Sequence, residues 1–187
     1  MTINESMSII ISQMLGGVMF HAQLNQFFNF LGLEGYAECQ KYRYYEESSS
    51  YMDLNDYYIC HYNKFISDDR VENKTIIPND WYNFTRFNVD DNIRKNAIKT
   101  AMEKWVQWEK ETKTVFEQHY QNLVSLNEIA IAEKIAECVR HVDNELAKAQ
   151  KTLLHLKAID YNISDIIMEQ ESLYSKYKKK IKEIQLL

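Results

Sequence analysis

The chain is predicted to be all-α: a four-helix bundle with a long crossover between helices 2 and 3 and a fifth, C-terminal helix. Three observations carry that expectation. Pro78 is the single proline, and the four glycines all lie before residue 36. A chain so poor in breakers lacks the residues that tolerate positive φ in tight hairpins, and long helices are the alternative. Apolar side chains then recur at three- and four-residue spacing over four long stretches and one shorter one. Finally, one long segment, 67–91, breaks that period.

At 187 residues the chain suits one domain, able to bury roughly 70% of the surface it exposes when unfolded. Residues 1–160 are expected to form the bundle, and 161–187 an amphipathic helix packed on the bundle or on a partner.

The first helix is expected over 5–30, with Ile10, Met14, Val18, His21/Ala22 and Phe28 on one face. Gly32 is a natural left-handed residue to end it. The second runs over about 34–66, its stripe reading Tyr36, Cys39, Glu47, Ser50/Tyr51, Leu54, Tyr58, His61 and Phe65. Arg43 falls on that stripe and interrupts it, with Tyr44 as the aromatic filler beside it. Segment 67–91 holds polar runs, a turn at Pro78-Asn79-Asp80 and the unperiodic aromatics Trp81, Tyr82, Phe84 and Phe87. A connection of that length and content suits a crossover between parallel helices.

Asp90 or Asp91 can cap a third helix over about 91–126, with Ile93, Ala97, Ala101, Trp105, Trp108, Thr112, Phe116, His119 and Leu123 inward. Asn127 can cap a fourth over about 128–159, with Ile131, Ile135, Cys138, Val142, Leu146, Leu153 and Leu156 inward. A fifth runs from Ser164 to about 185 on a face of Ile167, Leu173, Tyr174, Tyr177, Ile181 and Ile184.

Net charge −5 argues against nucleic acid as the main partner. The basic cluster Lys178, Lys179, Lys180 and Lys182 reads as a solvated last turn that offsets the helix dipole. Cys39, Cys60 and Cys138 form no Cys-x-x-Cys pair and read as reduced core or near-core thiols, which places the chain in the cytoplasm. Glu5 stands where a signal peptide carries positive charge, and the apolar run Ile9–Ile11 is too short to span a bilayer. No membrane partner is expected. The abundance of Asn, Lys, Ile and Tyr suits an AT-rich coding sequence, as in a low-GC bacterium or its phage.

Helix pair, crossover, helix pair and tail helix is the ferritin order, and local motifs follow it. Leu33-Glu34-Gly35 followed by Glu46-Glu47 resembles the Phe-Glu-Gly…Glu-Glu stretch of bacterial ferritins at the same separation. Trp108-Glu109 is similar to their His-Glu pair, with the histidine replaced. Lys151-Thr-Leu-Leu-His-Leu-Lys157 resembles their closing Lys-Ser-Ile-Ile-Asp-Lys-Leu segment. The resemblance, ordered but gapped over about residues 10–160, implies a ferritin-like four-helix bundle. It also implies a homo-oligomeric shell and a two-iron site that oxidises Fe(II) with oxygen. Carboxylates and Glu-x-x-His pairs build such sites, because hard anionic oxygens stabilise Fe(III).

Carried over residue by residue, that ligand set is depleted. Glu47 and Glu109 survive, but Ser50 stands where a partner histidine is implied. On the fourth helix the implied carboxylates fall at about His141 and Asn144. The first helix offers Met14 at the ligand place and His21 nearby. Glu47, Glu109 and His141 therefore form the metal set the resemblance implies. The plainer reading of each is also open: Glu47 paired with Arg43 or hydrogen-bonded to Ser50 or a tyrosine, Glu109 paired with Lys113, His141 as a solvated or core histidine, and His119 and His61 as core or groove residues.

The leading functional expectation is a non-catalytic bundle without cofactor. It works through a protein partner or self-association, in the manner of a phage or mobile-element accessory protein. The alternative is a divergent iron-binding oxidase or iron-storage protein.

Overall fold

The computed structural model describes residues 1–64, 66 and 89–185. The expected crossover, with its Pro78 turn and the aromatics Trp81 to Phe87, lies outside the described residues, as does Phe65. Five helices are present among the described residues: α1 Ile3–Phe30, α2 Glu34–Tyr62, α3 Asp91–Ser125, α4 Ile129–Ala158 and α5 Ile163–Ile184.

Local chemistry sets the helix ends. Thr2 and Glu5 form a capping box, in which the Thr2 hydroxyl accepts from Glu5 N–H and the Glu5 carboxylate accepts from Thr2 N–H. Gly32 takes φ +75 between α1 and α2, the left-handed conformation that costs glycine least. Asn63 ends α2 in the left-handed region and closes on Ile59 O. Asp90, not Asp91, caps α3 by accepting from Ile93 N–H.

Asn127 does not cap α4. It adopts φ 61 in the connecting turn, and Glu128 takes the N-cap place without a side-chain cap bond. The carboxylate of Glu128 instead accepts from Tyr62 O–H at 2.6 Å. Asn162 caps α5 through Ser164 and Asp165 N–H.

Short turns make α1–α2 and α3–α4 antiparallel pairs. Contacts along the bundle give the rest. Ser6 meets Asn122, Gln13 meets Thr112 and Leu31 O accepts from Arg94, so α1 and α3 are antiparallel. It follows that α2 and α3 run parallel. Residue 35 meets 170 and residue 45 meets 185, so α5 lies parallel to α2 and packs against it. The helix thus docks on its own chain. Its buried face uses Ile166 and Ile181, while Ile167 is 56% exposed. Ile166, Leu173, Tyr177 and Ile181 share one helical stripe, from which Ile167 is rotated by one residue.

By length and composition α1 could cross a membrane, although half of its most apolar window is buried inside the bundle. Its apolar surface is taken up by helix packing. Apolar side chains of the bundle fall into two clusters. One surrounds Leu24, Phe28, Ile98, Met102 and Leu156, and the other Ile10, Ile11, Leu54, Leu123 and Ile131. Between them lies a layer of buried polar groups.

Candidate functional site

That layer is built around Arg43, which is 2% exposed. It sits on the inward stripe of α2, three residues before Glu46 and four before Glu47, so one helical turn brings all three side chains together. Its Nη1 donates to Glu46 Oε2 at 2.7 Å, and its Nη2 donates to Glu47 Oε1 at 2.8 Å. Two further helices complete the ring. Glu145 Oε2 of α4 stands 3.3 Å from Arg43 Nε, and Glu109 Oε1 of α3 stands 3.8 Å from Nη2. His141 Nε2, also from α4, lies 3.2 Å from Nη1 as an acceptor.

Burial alone would favour a neutral guanidinium. The carboxylates of Glu47, Glu145, Glu109 and Glu46 outweigh it and hold Arg43 firmly protonated. Burial raises the Glu47 carboxyl, against the pull of Arg43 and His141. Glu109 is pushed up to about 7, chiefly by burial, with Arg43 opposing and Glu47 adding to the rise. It also accepts from Trp105 Nε1 at 2.9 Å.

On α1, His21 is fully buried and its Nδ1–H donates to Gln40 Oε1 at 2.7 Å. Its Nε2 has no hydrogen-bond partner and lies 3.7 Å from Glu109 Oε1. Burial first, then the charge of Arg43, lowers its pKa to about 3 and keeps the ring neutral.

The implied metal residues Glu47, Glu109 and His141 therefore do converge, but on a guanidinium. Met14 is buried in apolar surroundings. Asn144 is exposed, and the fourth-helix carboxylate is Glu145, 2% exposed. Glu145 was legible as the residue three after Val142 and four before Ala149 on the buried stripe, where Leu146 had been expected. Trp108 stacks on Phe20 at 5.0 Å and roofs the layer beside Gly17.

The plainer readings also sort out. Lys113 pairs with Asp143 and Glu117 rather than Glu109. His119 is buried, whereas His61 is exposed and stacks on Tyr57. Of the cysteines, Cys39 is buried and Cys138 half-buried, while Cys60 is exposed.

No protein-family model matches the chain, and no curated protein matches it at a significant level. Solved structures do. An open-pore ferritin from the hyperthermophilic archaeon Archaeoglobus fulgidus superposes with TM-score 0.73 at 14% identity, over 91% of this chain and 93% of that one. The fold is ferritin-like. An engineered closed form of the same ferritin superposes with TM-score 0.74 at 13% identity, over 93% of this chain and 96% of the other. At such identities the likeness concerns the fold alone, so the ferritin-like bundle must be read through its own side chains. Among the described residues, Glu46, His141 and Glu145 bring one donor atom each within 4.8 Å of one another. Arg43 bonds to the first, faces the second and lies beside the third.

Proposed function

We propose that this ferritin-like bundle is non-catalytic, held at its centre by an arginine–carboxylate lock, and that it acts through protein–protein contact in the cytoplasm. The observation that carries the reading is Arg43, placed among Glu46, Glu47, Glu109 and Glu145. A two-iron centre needs several uncommitted carboxylates, because each ion adds at least two positive charges. Here a fixed cation already holds those carboxylates at contact distance, and the residues do not fit such a centre. His21, kept neutral and turned to Gln40, adds no negative charge.

Self-association is the first form of contact to test. It suits the exposed Leu154, Ile167 and Met168 on the α4–α5 hairpin, which are 67%, 56% and 72% exposed. The composition adds a source, a phage or mobile element, for which the accessory role is proposed.

The deciding experiment is metal content per chain after iron-supplemented expression, with Glu47→Ala alongside and light scattering on both. The expected result is metal well below one ion per chain and an assembly larger than a monomer. Near-stoichiometric iron that vanishes in Glu47→Ala would overturn the reading.

A second reading rests on the Glu46, His141 and Glu145 donors. They could hold a single divalent ion if Arg43 swung aside, the mark of a divergent iron-binding protein. Metal lost in Glu145→Gln but retained in Glu47→Ala would select it.

A further inference from the structure

A second feature adjoins the central lock on its outer side, where α5 covers the groove beside α2 and α4. A cavity of about 370 Å³ opens there to solvent, within the lower range of small-molecule sites. Its floor is Arg43, and its rim carries Lys148 and Lys151 from α4 and Lys176 and Lys180 from α5. Spacings of three and four residues put each lysine pair on one helix face. The acidic lining is Glu145 and Glu169.

Those two acids are already engaged. Glu145 pairs with Lys148 and with Arg43, and Glu169 bonds to His155 Nε2 at 2.7 Å. Lys151, Lys176 and Lys180 have no acidic partner among the described residues. Lys180 instead lies 4.7 Å over the Tyr42 ring and 5.8 Å from the Tyr177 ring. Tyr36, Tyr42 and Tyr177 form the aromatic wall. Three cations without an acidic partner among the described residues, two of them, Lys176 and Lys180, lying over tyrosine rings, gather on one concavity and repel one another, in a chain whose net charge is −5. The cavity's two acids, Glu145 and Glu169, are taken up by Lys148, Arg43 and His155 and so do not pair with these lysines.

From this geometry we infer that the α2–α4–α5 cavity binds a small phosphorylated anion, its phosphate oxygens held by Lys151, Lys176 and Lys180. Ammonium groups serve phosphate as movable point charges. The tyrosine wall offers an apolar face to whatever the phosphate is attached to. The cavity's size selects a small molecule over a polymer. The inference goes beyond the proposed function and holds whether or not the bundle centre carries metal.

The test is isothermal titration calorimetry on the full chain at low ionic strength, with pyrophosphate and ADP as probes. Three proteins are compared: wild type, Lys151→Glu/Lys180→Glu, and Lys134→Glu as a distant control on α4. Saturable binding is expected for the wild type and the control, weakened at least tenfold in the double variant. ADP binding more tightly than pyrophosphate would assign part of the affinity to the tyrosines, and equal binding would assign it to phosphate alone. A companion measurement needs no variant: pyrophosphate should protect Lys151 and Lys180, but not Lys134, from chemical acetylation read by mass spectrometry. No saturable binding of either probe, or binding and protection indifferent to these lysines, would overturn the assignment.

Discussion

Arg43 and Glu47 stand one turn apart on α2, both turned into the bundle, with Arg43 Nη2 2.8 Å from Glu47 Oε1. Their contact is local in sequence, yet it becomes a centre only because α3 and α4 bring Glu109 and Glu145 to the same guanidinium. One side chain thereby ties three helices. Removing it leaves buried carboxylates without a counter-charge, which costs about 3–5 kcal/mol in comparable buried networks. Arg43→Leu is expected to lose stability on that scale in urea unfolding. A loss under about 1 kcal/mol would mean that the carboxylates find water or protons at little cost.

Protonation of this layer gives a pH signature. Burial raises Glu109 from 4.5 to about 7, so the folded chain keeps a proton that the unfolded chain has released. Its stabilising contribution is full below 4.5 and is lost as pH rises through about 7. His21 works in the other direction. Its pKa falls from 6.5 to about 3, so its contribution is present above 6.5 and is lost as pH falls toward 3. In the wild type the two effects oppose each other over the mildly acidic range. Glu109→Gln keeps an acceptor for Trp105 but removes the first effect. Acidification from about pH 8 to about pH 5 should therefore cost the variant more stability than the wild type, by a few kcal/mol at most. Parallel denaturation profiles for the two proteins would show that Glu109 does not titrate in this range.

How far the bundle was legible follows from which forces are local. Helical period and missing breakers place all five helices within a few residues, because one apolar face per helix suffices. Asn127 misled because capping propensity is weak beside turn geometry: the residue adopts a left-handed φ instead. Glu47, Glu109 and His141 do meet in one layer, around Arg43, since ligand positions are also inward positions. What fills the space between them depends on the relative rotation of α2 and α4, which no single-helix pattern contains. For that reason Glu145 was missed in favour of Asn144, and the two readings of Glu47 could not be separated. Ile167 was placed inward for a similar reason, as a one-residue rotation of α5 exchanges it with Ile166.

Gly35 holds α5 against α2. Its N–H donates to Gln170 Oε1 at 2.5 Å, and a Cβ there would fall 2.5 Å from the Gln170 carbonyl oxygen. The obstacle is helix backbone and cannot rotate away, so α5 itself must move. Gly35→Ala should therefore loosen α5 while the four-helix core persists, at a cost of about 1–3 kcal/mol. Limited proteolysis should cut the variant within 163–184 faster than the wild type. Equal cutting rates would show that the α2–α5 seam absorbs a methyl group.

The cysteines separate by environment, and a thiol count can read the separation. Burial pushes Cys39 up to about 11 against a hydrogen bond to Tyr177, and it pushes Cys138 to about 11 as well. A thiol is nucleophilic only as thiolate, so both should be slow even where a reagent can reach them. Cys60 is exposed and lies near the end of α2. A disulfide reagent at mildly alkaline pH should therefore titrate one thiol per native chain rapidly, and all three only in denaturant. Cys60→Ser should abolish the fast phase and leave the slow one unchanged. A fast phase that survives that substitution would show that the half-buried Cys138 ionises readily, against the rise that burial imposes on it.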